Sequence, residues 1–232
     1  MITIDYNILK GLDEKYGSPF YIMNLEQYKK NINDFLNAFK RKYDKVIAGY
    51  SFKTNYVPSL CNIAKGEGCV AEVVSDMEYA LAEKIGFDKI IFNGPIKRTP
   101  ILYHALESGA LVNLDSEYEV ELVCKYKKEH PNAEVSVGMR ININLTDENG
   151  NSTIQCGLRF GRFGFPDSIL GSNIEKLRSA GIKIIGLHGH TSTSDRAVLN
   201  YKIITQHMLA VCEKYQLNEL EYFDIGGGYF GA

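Results

Sequence analysis

Leu25, Tyr28, Ile32, Phe35, Leu36 and Phe39 recur at helical spacing with Lys, Asn and Asp between them, which predicts an amphipathic helix with one buried stripe. A strand-like run follows at 45–51, and the same alternation then repeats down the chain. Strands are predicted around 69–74, 89–92, 111–114, 134–143, 183–188 and 220–225, and helices around 77–85, 101–107, 117–128, 174–179 and 201–215. The strands are rich in β-branched residues and nearly continuous in apolar character, as strands buried on both faces are. About seven strand–helix units in regular alternation indicate a parallel sheet, either open and doubly wound or closed as a (β/α)8 TIM-type barrel.

The polar residues choose between these. An open sheet gathers its functional groups at one switch point, whereas a barrel draws them from the C-terminal ends of many strands. Here nearly every predicted strand ends in polar groups: Lys53 and Asn55, Glu72 and Ser75, Asn93, Asp115, Arg140 and Asn142, His188 and His190, then Asp224 with Gly226 to Gly228. The barrel is favoured, with about seven of eight strands present. Residues 1–24 are expected to lead into it and 25–232 to form it, with one long irregular stretch at 145–167.

Composition narrows the function without naming it. A chain of 232 residues with 45% hydrophobic content can bury a full core as one large domain. Lys plus Arg number 26 against 28 acidic residues, so no field draws the chain to nucleic acid or an anionic membrane, and a small-molecule partner is expected. Cys61, Cys69, Cys124, Cys156 and Cys212 are scattered, without a C-x-x-C pair, and read as reduced thiols of a cytoplasmic protein. No stretch approaches the ~18 apolar residues of a membrane span.

Three segments carry candidate chemistry. Lys53, in AGYSFKTN, is either a surface lysine or an amine that its apolar neighbours Val46, Tyr50 and Phe52 partly desolvate, freeing it to attack an aldehyde. The run Asp224-Ile225-Gly226-Gly227-Gly228-Tyr229 is either a tight turn or a series of open backbone N–H groups suited to an oxyanion such as phosphate. His188 and His190, two apart in GLHGHTSTS, project to the same side of a strand. They suit a ring stacked on a flat cofactor better than a metal, because no further ligand cluster accompanies them. The hydroxyls of Thr191, Ser192, Thr193 and Ser194 are further donors toward phosphate.

YSFKTN, CVAEVVSDMEYA, NGPIK, MRININ, RFGF, GLHGHTSTS and FDIGGGY stand in this order and spacing from about Ser18 to the C-terminus. The set resembles the barrel domain of the alanine-racemase-fold (fold type III) decarboxylases that use pyridoxal 5'-phosphate (PLP), of which diaminopimelate and ornithine decarboxylases are members. The resemblance implies PLP as cofactor and decarboxylation of a diaminopimelate-, ornithine- or lysine-type amino acid. It implies that Lys53 is the Schiff-base lysine, that His190 stacks on the pyridine ring, and that Gly226, Gly227 and Gly228 bind phosphate. Arg140, Glu72, Ser75 and Glu78 match polar positions around the cofactor or orienting its neighbours.

Two departures are visible. The family's H-x-G-S reads His190-Thr191-Ser192-Thr193, so serine replaces the glycine while Thr193 keeps the hydroxyl. The chain also stops at Ala232, before the family's last strand, with its E-P-G-R-like motif, and before the C-terminal β-domain. A fragment of a longer enzyme is therefore expected, homodimeric at full length and poorly active alone. Two other functions are compatible with the motifs: a PLP-binding protein without decarboxylation, and an amino-acid racemase of the same fold. The substrate is not ranked by these residues.

Overall fold

The computed structural model describes residues 4–147, 149–154, 161–191, 193 and 197–229. The chain divides into two compact units, Met1–Val46 and Ile47–Ala232. The first holds α1 (Tyr6–Tyr16) and α2 (Leu25–Lys40). Each begins at a side-chain cap that satisfies an otherwise orphan N–H: Asp5 accepts from Asn7 N, and Asn24 from Gln27 N. Helix α2 matches the predicted stripe and buries Leu36. Helix α1 lies in the segment 1–24 that was expected only to lead into the barrel, and none of its side chains is buried.

The second unit is built on seven strands, β1 (Gly49–Ser51), β2 (Val70–Val73), β3 (Ile90–Phe92), β4 (Leu111–Leu114), β5 (Ser136–Arg140), β6 (Lys183–His188) and β7 (Tyr222–Asp224). Between them run α3 (Pro58–Gly66), α4 (Asp76–Ile85), α5 (Thr99–Glu107), α6 (Glu117–Glu129), α7 (Asp167–Ser179) and α8 (Val198–Tyr215). All strand pairs are parallel and the order is β1 to β7 without reversal. A doubly wound sheet needs a reversal at its switch point, so this is a partial TIM-type barrel.

The strands are shorter than the apolar runs suggest: the run at 45–51 forms a strand only over Gly49–Ser51, and 134–143 only over Ser136–Arg140. Helix α3 was not among the predicted elements. Pro58 fixes its first turn, and Leu60, Cys61 and Ala64 bury one face over nine residues.

Alternation along the strands separates two environments. Val73, Phe92, Leu114, Val137, Met139 and Leu187 have no exposed surface and share one core with Leu102, Val120, Leu170, Ile174 and Met208 of the helices. Each such side chain contributes roughly 1.5–3 kcal/mol by leaving water. The other face is polar and small. In register across four strands lie Asn113, Gly138, Gly186 and Tyr222, and two residues further along, Arg140, His188 and Asp224. A register shift between Val137 and Gly138 sets these rows opposite one another.

Two glycines make room inside. A Cβ at Gly186 would lie 2.0 Å from the Tyr222 ring, and one at Gly138 would lie 1.9 Å from Asn113 Oδ1 and 2.2 Å from the Tyr222 hydroxyl. Tyr222 therefore lies across the interior, where its hydroxyl meets β4.

Candidate active site

The polar strand ends converge at the C-terminal side of the sheet. After β1 the chain turns sharply, and Phe52 N–H donates to Glu72 O at 2.9 Å. Phe52 is fully buried against Phe87, with ring centroids 5.7 Å apart. Anchoring that ring leaves Lys53 on the outside of the turn, exposed. The expectation that apolar neighbours desolvate Lys53 is thus corrected, because Phe52 is buried in the core while Lys53 itself is exposed.

Glu72 on β2 faces the same region. Burial pushes its carboxyl up, a hydrogen bond from the Ser51 side chain opposes this, and Asp224, His188 and Lys53 all act on it electrostatically. Ser75 and Glu78 have a local role: Ser75 Oγ accepts from Glu78 N at 3.3 Å, and Glu78 Oε2 accepts from Val74 N at 2.8 Å, a reciprocal cap on α4.

His188 and His190 follow β6. His188 is buried, its Nδ1 3.2 Å from Asp224 Oδ2, and the two imidazoles lie edge to face 6.4 Å apart. His190 packs against the glycine run. A Cβ at Gly226 would lie 2.6 Å from His190 Nδ1, and Gly226 has φ +74°, so glycine is required there on both counts. Burial, then the nearby His188, Arg140 and Lys53, push the His190 imidazole down to about 4. Its ring is neutral at neutral pH.

The glycine run is less open than three consecutive glycines suggest. Gly226 N–H donates to Asp224 Oδ1 at 2.9 Å, an Asx-type turn, and Gly227 N–H donates to His190 Nδ1 at 3.3 Å. From α8, the Tyr201 hydroxyl donates to Gly227 O at 3.0 Å, and the Tyr201 ring stacks on Tyr229 at 4.6 Å. Gly227 itself faces open space. Burial alone would raise the Asp224 carboxyl, but His188 beside it and the hydrogen bonds from Asn93 and Gly226 outweigh this and hold it well below the usual carboxylate range.

Arg140 is buried and forks between two partners: Nη1 donates to Asp115 Oδ2 at 2.9 Å and Nη2 to His190 O at 3.0 Å. Asp115 Oδ1 in turn accepts Gly164 N–H at 3.1 Å, tying the RFGF loop to the same pair. Thr193 is buried, its Oγ1 accepting from Asn200 Nδ2 at 3.2 Å. Ser192, Ser194 and Cys156 lie outside the described residues.

Thus Lys53, Glu72, Arg140, His190 and the Asp224 turn belong to one electrostatic neighbourhood. Sequence reasoning named Asn93, Asp115 and Arg140 only as polar strand ends and missed what holds the site: the pairing of Asp115 with Arg140, the buried side chains of Lys97, Asn113 and Glu119, and the half-buried Tyr222. The period-two spacing G-x-R, G-x-H and Y-x-D at the ends of β5, β6 and β7 was the available signal. Among the described residues no cluster of three His, Cys, Asp or Glu could hold a metal ion, and no helix is long and apolar enough to cross a membrane.

The family described as "Pyridoxal-dependent decarboxylase, pyridoxal binding domain" matches residues 29–232. A probable chloroplastic diaminopimelate decarboxylase of Oryza sativa subsp. japonica is 31% identical over 222 residues, which cover 91% of this chain and 44% of the relative. Diaminopimelate decarboxylase of Methanocaldococcus jannaschii is 29% identical over 230 residues, 94% of this chain and 52% of that one. The M. jannaschii enzyme in co-complex with L-lysine superposes with a TM-score of 0.77 at 26% identity, covering 92% of this chain and 51% of that one. The chain spans about half the length of the curated relatives it matches.

Proposed function

The chain belongs to the pyridoxal-dependent decarboxylases, whose pyridoxal-binding domain it matches over residues 29–232, and from that premise we propose that it holds PLP for the decarboxylation of an amino acid. The observation that carries this reading is the meeting of an exposed lysine, a neutral imidazole and a glycine turn at one end of the sheet. The donor set fits a flat, phosphorylated aldehyde. Lys53 would hold the carbonyl carbon through its amine. His190, uncharged and braced by Gly227 N–H and Arg140, would offer its ring as a stacking surface. Gly226 to Gly228 would approach the phosphate by backbone alone, since no side chain stands there, and Thr193 would lie beside them.

When bound, PLP supplies a conjugated ring that takes up the electron pair released as carbon dioxide leaves. The chain's own groups orient and shield. Glu72, Arg140 and Asp224 fix the charges around the site, and Arg140 ties the His190 backbone to Asp115. The substrate of this reading is a small amino acid of the diaminopimelate, ornithine or lysine type. It includes a homodimer at the relatives' length and a cytoplasmic location, for light scattering and cell fractionation to test.

Borohydride reduction in the presence of PLP, followed by peptide mapping, tests the core of the reading. A label on Lys53, absent in Lys53→Ala, supports it; a label on another lysine overturns it. Carbon dioxide release from diaminopimelate, ornithine, lysine and arginine, measured beside racemisation, then separates decarboxylase from racemase. This assay applies to the 232-residue chain or to any longer protein that contains it. Labelling of Lys53 with neither reaction would instead indicate a cofactor-holding protein.

A further inference from the structure

Tyr222 and Asp224 lie two residues apart on β7 and so face the same side, the barrel interior. Between them runs a continuous chain of hydrogen bonds. The Tyr222 hydroxyl donates to Asn113 Oδ1 at 2.8 Å, Asn113 Nδ2 to Asn93 Oδ1 at 2.7 Å, and Asn93 Nδ2 to Asp224 Oδ2 at 2.9 Å. Among the described strands β7 pairs with β6 alone, yet these bonds reach across the interior to β4 and the end of β3.

The direction of the chain is forced by chemistry. An ionised carboxylate only accepts, so Asn93 turns its amide nitrogen to Asp224 and its oxygen to Asn113. Asn113 is then left with its oxygen free for the Tyr222 hydroxyl, and burial, with the charges of Asp224 and Glu221, keeps that phenol protonated as a donor. The space for the last bond exists because residue 138 has no side chain. At the far end, the second oxygen of Asp224 holds Gly226 N–H. The first glycine of the turn therefore hangs on a carboxylate whose orientation is set by Asn93, which Asn113 backs, and by His188 Nδ1 3.2 Å from the same oxygen. Asn93 and Asn113 are only 6% and 1% exposed, so neither offers a surface to a ligand of ordinary size.

We propose that Asn93 and Asn113 are positioning residues for the anion-binding end of the site: through Asp224 they hold the Gly226–Gly228 turn in the shape that accepts a phosphate monoester. This rests on the reading of the site as a PLP-binding centre and deepens it. A clamp that merely stabilised β7 would affect any ligand of the site alike. A clamp that shapes the turn affects the phosphate far more than the ring, which the turn reaches only through the Gly227 N–H on His190 Nδ1, while Arg140 holds the His190 carbonyl independently.

Titrating the 232-residue chain with PLP and with pyridoxal, which lacks the phosphate, separates the two. The unsubstituted chain is expected to prefer PLP. Asn93→Ala is expected to weaken PLP binding about tenfold or more, the size of one lost hydrogen bond to a charged group, and to leave pyridoxal within about twofold. Tyr222→Phe, which removes only the donor at the start of the chain and keeps the ring in place, is expected to shift the same preference by about two- to fivefold. Equal weakening of both ligands, or an unchanged preference, overturns the proposal. If Asn93→Ala does not fold, Tyr222→Phe decides alone by the same criterion. A chain whose Lys53 is labelled but which shows no preference for PLP over pyridoxal sinks this inference and leaves the function standing, whereas failure to label Lys53 sinks the function itself.

Discussion

Lys97 Nζ and Glu119 Oε2 meet 3.1 Å apart with neither side chain exposed at all. The ammonium also donates to the carbonyls of Gly94 at 2.6 Å and Asn113 at 2.7 Å, and the carboxylate receives the backbone N–H groups of Lys97 at 2.9 Å and Asp115 at 2.8 Å. Burial pushes Lys97 down and Glu119 up, and each partner pulls the other back. Breaking such a pair leaves one uncompensated buried group, so Lys97→Met or Glu119→Gln alone is expected to cost about 3–5 kcal/mol. The double variant Lys97→Met/Glu119→Leu removes both charges but leaves the carbonyls of Gly94 and Asn113 and the N–H groups of Lys97 and Asp115 without these partners, so it is expected to recover little of that loss. Urea midpoints with an unchanged m-value measure all three.

Gly226 and Gly227 are adjacent but not equivalent. Gly226→Ala puts a methyl 2.6 Å from His190 Nδ1 at φ +74° and is expected to destabilise the chain by about 1–3 kcal/mol. Gly227→Ala meets nothing within 4 Å and is expected to leave the melting temperature unchanged. If the turn faces a phosphate, the same methyl obstructs the approach, so Gly227→Ala weakens PLP more than pyridoxal.

His190 makes stability depend on pH. Its folded-state value of about 4 lies below its ordinary 6.5, so between these limits the unfolded chain binds more protons. Stability is therefore fully present above about pH 6.5 and is lost as pH falls toward 4, by at most on the order of 3 kcal/mol. Glu72, pushed up by burial, acts in the opposite sense above its ordinary value, which makes the comparison with His190→Asn the informative one. Urea midpoints at pH 7 and pH 4.5 are expected to differ less in that variant than in the unsubstituted chain.

Arg140 uses the fork of its guanidinium, with one nitrogen on Asp115 and one on the His190 carbonyl. Arg140→Lys keeps the charge but presents a single point donor that cannot span both partners. We expect a loss of about 1–3 kcal/mol by thermal unfolding, because one buried acceptor goes unsatisfied. We also expect weaker binding of PLP and of pyridoxal alike, since the His190 ring rather than the glycine turn loses its support.

Much of the second unit was legible because its strands and helices bury apolar side chains at regular periods. The paired helix and strand periods predicted β2 to β7 and helices α4 to α8. Helices α1 and α3 lay outside that reading: α1 buries none of its side chains, and α3 packs one face of Leu60, Cys61 and Ala64 directly after the turn that carries Lys53. At the site, Lys53, His190 and the glycine run stood out because each is unusual beside its neighbours. Asn113 within Leu-Val-Asn-Leu and Tyr222 within Glu-Tyr-Phe-Asp did not, because one polar residue in an apolar run reads as an exception until a partner from a distant strand is seen beside it. Lys53 also shows the limit of reading by neighbours, since it is exposed although Phe52 beside it in sequence is buried.

The flat lie of Tyr222 over Gly186 and against Gly138 ties three positions on three strands into one unit of volume. None of them can change size alone: a methyl at 138 or 186 would overlap the ring or its hydroxyl, and a smaller residue at 222 would leave a hollow beneath the site. Related chains should therefore be found in two exclusive states, an aromatic at 222 facing two glycines, or a small residue at 222 facing a bulkier side chain at 186, with 138 free to grow only where 113 also shrinks. The intermediates would be poor folders, so passage between the states would require near-simultaneous substitution.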